Sequence, residues 1–342
     1  MNLLNSKNFW QASSLTEGLT IADGVISGNP KIRGVFDVPV TVSNSLGTST
    51  KNIRIKARYR DDITIIQDGV EIETITLNEL CSLIQNGTAM SKYNCTSTQL
   101  LIPFTHPLNS EVILEVPLNF CSFRNVTLAD GSTKNGLILQ FAQPLWKGFA
   151  PFGTNNFNRW KYSQLRKWLN SSGTDWFSSS YLNDILTPHQ GCYSEQGVKG
   201  FLSCLPYSLR ELLLPVKIVT QAFFDDYNHD LAIDDPDYFD GFDADFTYDK
   251  VFIPSLSEMG IYGNNEFLPD DSFEGTAWEF YSALSNWNSN CSDLNDNSCF
   301  ITSRSAYLNG TDKVLYLNSS IQPSAANVYN SEAAVAPAFV IG

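Results

Sequence analysis

Apolar and polar residues alternate strictly near the start of this chain, and this alternation limits the folds open to it. In the run from Asn52 to Arg60 the apolar residues include Ile53, Ile55 and Tyr59, with polar or basic residues between them. Successive side chains of a strand point to opposite faces, so this run predicts a β-strand with one buried and one wet face. Asp-Gly pairs, which are strong hairpin signals, recur along the same half at Asp23-Gly24, Asp68-Gly69 and Asp130-Gly131. We expect an antiparallel β-sandwich of jelly-roll type over residues 1–147.

One helix is predicted inside this β-rich half, from Leu77 to Gln85. Thr76 precedes it, and Glu79 follows Thr76 at the spacing of a capping box. Further along, prolines and glycines crowd the short apolar segment from 144 to 153. We place a domain boundary there, between residues 147 and 148, and expect the two domains to touch.

The second half, residues 148–342, mixes helical and strand patterns with long loops. Leu165, Trp168 and Leu169 form an apolar stripe that predicts a short amphipathic helix ending at Asn170, with Trp160 also in the core. Other patterns predict helices at 206–213 and 278–287, and strands at 216–220, 250–255, 300–303, 313–317 and 336–341. The fold class is therefore α+β, and the long loops are candidates for function.

Acidic composition argues against one class of partner. The chain has a net charge of −14, whereas binding to DNA or RNA needs clustered lysine and arginine. No run reaches the roughly 18 continuous apolar residues of a membrane span, and the first residues lack the pattern of a signal peptide. We expect no membrane insertion and synthesis in a cytoplasm. Seven cysteines without a C-x-x-C pair favour free buried thiols over zinc, although Cys291 and Cys299 could pair at an oxidising exterior.

An acidic and aromatic stretch between residues 225 and 249 is the candidate metal site. Calcium takes six to eight oxygen ligands, which clustered carboxylates on a loop can supply. The candidate ligands are Asp235, Asp237, Asp240, Asp243 and Asp245. Their spacing is not that of an EF-hand, so a solvated acidic loop and a docking surface for a basic partner remain alternatives. No other cofactor is predicted.

Aromatic and amide side chains in the second half are candidates for a surface that stacks sugar rings. The candidates are Tyr238, Trp278, Tyr281, Trp287 and Asn288. For the two tryptophans, packing in the core is the alternative.

Patterns that would indicate catalysis are sparse. Carboxylates for glycoside hydrolysis could be drawn from four glutamates, whose separation the sequence does not give: Glu258, Glu266, Glu274 and Glu279. His189 lies near Cys192, but a thiol nucleophile also needs an orienting group and an oxyanion site. We predict no catalytic residue and a protein that is not an enzyme.

An ordered series of short motifs extends from about residue 150 to the last residue. The motifs are Asn158-Arg159-Trp160, Leu165-Arg166-Lys167-Trp168-Leu169-Asn170, Gly200-Phe201-Leu202, Lys250 to Ser255, Glu258-Met259-Gly260, Glu274-Gly275, Thr302-Ser303-Arg304 and Val335 to Phe339. This series resembles an uncharacterised domain family of gut-bacterial and bacteriophage proteins, which is similar to the C-type-lectin-like fold. Where relatives read Trp-Leu-Arg-Ser-Pro, this chain has Phe300 to Ser305, so a ligand contact made by that tryptophan would be absent.

The resemblance implies a rigid scaffold that displays variable loops for binding. We expect a structural protein of a bacteriophage virion, either a fibre, a tail or a capsid-decoration component. Residues 1–147 would dock to other virion proteins, and residues 148–342 would attach to a host-surface glycan or protein. Repeated weak sites gain avidity, so we expect a homo-oligomer. A polysaccharide hydrolase and a bacterial surface adhesin are the alternatives.

Overall fold

A computed structural model describes most of the first half of the chain and the ordered framework of the second. The described residues are 8–28, 31–32, 34–57, 62–107, 109–143, 158–173, 198–221, 244–261, 274–283, 301–306, 313–317, 323–327 and 335–342. They are 53% strand and 17% helix, with antiparallel sheets, so the predicted β-rich α+β class is confirmed. The chain divides into two compact units, 1–62 and 63–342.

Two small sheets make up the first unit. Its strands are β1 (Phe9–Ala12), β2 (Leu19–Ala22), β3 (Val25–Gly28), β4 (Gly34–Asn44) and β5 (Gly47–Ala57). They form a three-stranded sheet in the order β1-β4-β5 and a separate β2-β3 hairpin. Ile53 and Ile55 are partly buried and Arg54 between them is exposed, which confirms the alternation predicted for β5. Asp23 and Gly24 have φ angles of 50° and 80°, as the tight turn between β2 and β3 requires.

The second unit is built on one seven-stranded sheet. Its elements are β6 (Asp62–Gln67), β7 (Val70–Thr76), α1 (Leu77–Gln85), α2 (Thr88–Lys92), β8 (Thr98–His106), β9 (Asn109–Thr127), β10 (Thr133–Phe141), a 3-10 turn (Trp160–Tyr162), α3 (Gln164–Leu169), α4 (Phe201–Cys204), α5 (Tyr207–Leu212), β11 (Val216–Gln221), β12 (Ala244–Asp249), β13 (Val251–Phe252), α6 (Glu279–Ala283), β14 (Ile301–Ala306), β15 (Lys313–Leu317), β16 (Pro323–Asn327) and β17 (Ala338–Ile341). The large sheet has the order β13-β17-β10-β9-β8-β6-β7. Two smaller sheets, β11-β12 and β14-β15-β16, complete the unit.

The large sheet combines strands from both sides of the predicted domain boundary. β17 pairs with β10 through Leu137 opposite Ile341 and Leu139 opposite Phe339, and its other edge pairs with β13. The boundary between residues 147 and 148 itself lies outside the described residues. Packing divides the chain elsewhere, after residue 62, because β8, β9 and β10 share a sheet and a core with the last residues of the chain.

Short helices flank this sheet. α1 has the predicted bounds and the predicted capping box: the Thr76 hydroxyl accepts from the Glu79 amide, and the Glu79 carboxylate accepts from the Thr76 amide. α3, α5 and α6 lie where helices are predicted, and α4 is an additional helix that the sequence patterns do not indicate. Among the described residues, no helix is long and apolar enough to cross a membrane.

A buried carboxylate holds α3 against β12. Asp249 is 1% exposed, and its two oxygens accept hydrogen bonds from Trp160 Nε1 at 2.8 Å and from Arg166 Nε at 2.7 Å. The hydroxyl of Thr247 donates to it as well, at 2.6 Å. The prediction that the acidic stretch is a loop up to residue 249 is therefore wrong at its end. Ala244–Asp249 is a strand, and Asp249 belongs to the core.

Asn170 makes a second link at the end of α3. Its side-chain oxygen accepts from the backbone amides of Lys250 at 2.9 Å and Val251 at 3.1 Å, and its amide group donates to the Val251 carbonyl at 2.8 Å. The side chain thus replaces the strand partner that these backbone groups would otherwise need. Together with Asp249 it fixes the direction in which the chain enters β13.

Gly200 allows the closest approach of two segments in this region. A Cβ at this position would lie 2.3 Å from the Ser171 carbonyl oxygen, a distance that no side chain tolerates. The approach places Phe201 against Trp168, Phe104 and Phe141, with ring centroids 5.5–5.7 Å apart. The predicted core positions of Trp160 and Trp168 are confirmed, since each is 1% exposed.

Candidate ligand-binding site

A cavity of about 320 Å³ opens on the face of the large sheet, between β9 and β11. Leu128, the residue after β9, forms an isolated bridge with Val216 at the start of β11, and β9 and β11 form no ladder in the described chain, which leaves space beside the bridge. The lining residues are Arg124, Asn125, Val126, Thr127, Ile138, Val216, Lys217, Ile218, Val219, Phe252, Glu258, Glu274, Gly275, Arg304 and Val340. The volume is at the lower end of the range for small-molecule sites, about 300–1,000 Å³.

Arg304 and Glu258 form a buried ion pair in the wall of this cavity. Arg304, on β14, is 1% exposed, and its Nη1 donates to Glu258 Oε2 at 2.5 Å. The remaining guanidinium donors bind backbone carbonyls, of Ile253 at 2.8 Å, of Glu274 at 2.8 Å and of Val219 at 3.4 Å. Each of the three guanidinium nitrogens therefore has a hydrogen-bond partner, as a buried cation requires.

Glu274 is the second buried carboxylate of the wall. It is 1% exposed, and its Oε2 accepts a hydrogen bond from the Ser305 hydroxyl. Ser305 in turn accepts from the Leu256 amide at 2.9 Å, so the direction of its own proton toward Glu274 is fixed. A serine thus holds Glu274 where an arginine holds Glu258.

Gly275 packs closely against Glu258. It has a φ of +118°, a conformation that other residues rarely adopt, and a Cβ there would lie 3.1 Å from Glu258 Oε1. The Glu-Gly pair at 274–275 is thus explained by its position: the glutamate is buried, and the glycine lets the backbone pass over the neighbouring carboxylate.

Arg124 forms the wall between this cavity and a larger one. The larger cavity, of about 590 Å³, is lined by Ser122, Arg124, Asn125, Gly275, Thr276, Ala277 and Glu279. The Arg124 guanidinium donates from Nε to the Ser122 hydroxyl at 2.9 Å and from its Nη atoms to the backbone carbonyls of Thr276 and Ala277, both at 3.4 Å. Arg124 is partly exposed and lies on a strand that precedes all the recognised motifs.

Comparison with known families identifies the second half of the chain. Residues 152–342, more than half of the sequence, match a family described as "Domain of unknown function (DUF6273)". The chain belongs to the DUF6273 family. No curated protein and no solved structure matches it. The DUF6273 region supplies Glu258, Glu274 and Arg304 to the cavity, and Arg124 comes from the part of the chain before it.

The motifs that carried the sequence resemblance are mostly framework in this DUF6273 member. Trp160, Arg166 and Asn170 hold α3 in place, and Gly200 allows the close approach described above. The glutamates and arginine of the later motifs lie at the cavity instead. In this chain the motifs therefore form a packed scaffold together with one polar wall.

Trp278 is the predicted ligand-binding residue that the structure contradicts. It is 0% exposed, stacks on Tyr281 with ring centroids 5.7 Å apart and packs against Phe252. Its amide donates to the Glu258 carbonyl at 2.9 Å, which draws the start of α6 inward and buries the indole. The prediction that Trp278 is exposed is therefore wrong, and the alternative, packing in the core, is correct. Tyr281 is partly buried and donates its hydroxyl proton to Gln140 Oε1 at 2.5 Å.

Most other predicted site residues lie outside the described part of the chain. These residues are Asp235, Asp237, Tyr238, Asp240, Asp243, Trp287 and Asn288, together with Glu266, His189 and Cys192. Asp245 lies on β12 opposite Thr220. Within the described ranges no three histidine, cysteine or acidic side chains come together as a metal site, so calcium binding stays a prediction.

The structure gives the positions of two further groups of predicted residues. Glu258 and Glu274, considered as a carboxylate pair, do line one cavity. Four cysteines are free buried thiols, as predicted: Cys81, Cys95, Cys121 and Cys204. Burial raises the pKa of Cys204 to about 12, so this thiol is neutral and unreactive at physiological pH.

Proposed function

We propose that this chain is a structural protein of a bacteriophage virion, a fibre, tail or capsid-decoration component, whose DUF6273 region binds a host-surface glycan. The cavity beside Arg124 carries this proposal. Its floor is the apolar face of a sheet and its wall is polar, the combination with which proteins hold sugars and other small polar molecules. We also propose a jelly-roll fold for residues 1–147 and a C-type-lectin-like fold for residues 148–342.

The state of the two carboxylates favours binding over catalysis. An acid or base in glycoside hydrolysis must be able to exchange a proton with the substrate. Glu258 is occupied by the Arg304 guanidinium and Glu274 by the Ser305 hydroxyl, so each holds a structural contact in the unliganded protein. The polar wall thus serves as a rigid surface that a ligand meets already formed.

The first unit supports the docking and oligomer parts of the proposal. Among its described residues, Val38 and Thr16 are the buried ones, whereas Phe9, Val35 and Leu46 are exposed by 67%, 56% and 92%. A unit of this size needs a substantial apolar core to be stable. A further copy of the chain or another virion protein would supply the missing contacts.

A glycan array probed with the full chain tests the glycan part of the proposal. The parent protein should bind a defined set of glycans, and Thr127→Trp, which fills the cavity, should abolish the signal. Thr133→Trp is the matched control, because Thr133 is the exposed cross-strand neighbour of Thr127 and does not line the cavity. Absence of any glycan signal from the parent would contradict the proposal. Repeating the array with a chelator tests whether glycan binding needs the predicted calcium ion.

Mass spectrometry of purified phage particles tests the location. Particles from a culture that produces this protein should contain it in many copies. Particles free of it would overturn the virion assignment while leaving glycan binding intact.

A polysaccharide hydrolase is the second candidate, because Glu258 and Glu274 line the same cavity. Release of reducing ends from surface polysaccharide by the parent protein, lost in Glu274→Gln, would support the enzyme. The parent protein releasing none would remove it.

A further inference from the structure

Arg124 is a cation whose hydrogen-bond partners are all uncharged. Its partners are the Ser122 and Thr276 hydroxyls and the carbonyls of Thr276 and Ala277, and it makes no ion pair in the described part of the chain. The contacts of its two Nη atoms are long, at 3.3–3.4 Å. Hydrogen bonds of arginine to a carboxylate, in which both partners are charged, are shorter, about 2.7–2.9 Å. The Nη edge therefore has hydrogen-bonding strength that its present partners do not use.

The cavity is positive in a strongly negative protein. Its lining contains three cations, Arg124, Lys217 and Arg304, and two carboxylates, Glu258 and Glu274, which gives a net charge of +1. The whole chain has a net charge of −14. The Arg304 and Glu258 charges are already paired with each other, and the Lys217 Nζ lies 4.6 Å from the centroid of the Phe246 ring, which is not part of the lining. Arg124 is therefore the cation of the lining that is left to face a ligand. A local positive site of this kind selects an anion.

The rest of the lining suits a sugar ring. Ile138, Phe252 and Val340 are buried side chains that offer an apolar floor. Asn125 and Thr127 at the wall supply amide and hydroxyl groups for ring hydroxyls.

We infer that the cavity binds a sugar that carries a carboxylate, and that Arg124 recognises this carboxylate through its Nη atoms. The inference rests on the proposed glycan-binding function and names the ligand class. A planar carboxylate matches the fork of a guanidinium, and a monoanion matches the net charge of the lining.

Paired oligosaccharides test the inference. The full chain is titrated with oligogalacturonate and with its carboxyl-reduced form, which has the same linkage and ring hydroxyls but no charge. A panel of glucuronate-containing and sialylated oligosaccharides, each with its reduced partner, covers other ring types. The measured quantity is the ratio of the two dissociation constants in each pair. We expect at least one acidic sugar to bind about tenfold or more tightly than its reduced form.

Arg124→Gln removes the positive charge and should bring that ratio close to one. Arg54→Gln is the matched control, because it removes the same charge from an exposed arginine of the first unit that lies outside the cavity, and its ratio should equal that of the parent. Lys217→Gln is a second variant at an exposed position of the lining, and it should lower the ratio by a smaller factor. If Arg124→Gln does not fold, Arg124→Lys decides the question, because it keeps the charge and removes the planar fork, and its ratio should fall well below that of the parent.

The possible outcomes distinguish the inference from the proposed glycan binding on which it rests. A high ratio in the parent that Arg124→Gln abolishes supports the inference. Equal binding of acidic and reduced sugars overturns the inference and leaves glycan binding in place. A high ratio that neither variant changes also overturns it, since the carboxylate is then recognised elsewhere. Binding of no sugar on the panel or the array overturns both.

Discussion

The carboxylate of Asp249 shows how a residue from an acidic segment becomes part of a core. It accepts hydrogen bonds from Trp160, Arg166 and Thr247 and is almost completely buried. The sequence predicts that Trp160 is buried, because an aromatic stripe is a local signal. It does not predict the role of Asp249, because Trp160 and Arg166 lie more than eighty positions away and no local pattern distinguishes this aspartate from its acidic neighbours.

Replacing Asp249 by alanine tests this role. The variant leaves the Arg166 guanidinium and the Trp160 indole without their acceptor, so we expect the free energy of unfolding to fall by about 3–5 kcal/mol. Urea denaturation followed by tryptophan fluorescence measures the change. Asp37→Ala is the control, because it breaks the exposed ion pair with Arg54, and its midpoint should stay close to that of the parent. An Asp249→Ala midpoint equal to that of the control would contradict the buried role.

Elements whose signals are local were predicted well. α1 begins after Thr76 because the two residues of the capping box are only three positions apart in the sequence. The hairpin between β6 and β7 turns at Asp68-Gly69, where both φ angles are positive. β9 continues past Pro117 to Thr127, and its pairing with β8 as far as Asn119 and with β10 up to Thr127 keeps it extended. β12 was missed because aspartate is unfavourable in strands and β11 supplies its partner.

The capping box of α1 gives a prediction at this scale. Thr76→Ala removes the hydroxyl that accepts from the Glu79 amide, and we expect a loss of about 1 kcal/mol in the free energy of unfolding. Thr76→Ser keeps the hydroxyl and should remain within a few tenths of a kcal/mol of the parent. Urea titrations of the three proteins under one condition measure both values. Equal losses in the two variants would show that the methyl group matters and the cap does not.

At the scale of the whole molecule, the cavity wall is assembled from segments far apart in the sequence. Glu258 and Glu274 could be named as candidates from residue type alone, but their grouping around Arg304 depends on the placement of β13 and β14. Arg124 could not be found, because it precedes the region of resemblance and no pattern indicates that β9 and β11 lie side by side. The site is thus a property of the sheet order, which local sequence patterns do not reveal.

The sheet order also predicts which fragments fold. A fragment of residues 148–342 lacks β10, the strand that pairs with β17, and loses half of the shared core, so it should show no cooperative unfolding transition. A fragment of residues 63–342 keeps the whole unit and should unfold cooperatively. Thermal denaturation followed by circular dichroism compares the two. A sharp transition in the shorter fragment would show that the DUF6273 region is an independent domain.

The position of β17 between β10 and β13 has a consequence for the growing polypeptide on the ribosome. β10 emerges early, and β17, the strand that covers its free edge, is translated only at the end of the DUF6273 region. During that interval an unpaired strand edge is open to other nascent or misfolded chains, which is a recognised route to aggregation. The yield of native protein should therefore depend on elongation speed and on chaperones that shield such an edge until residues 338–341 arrive.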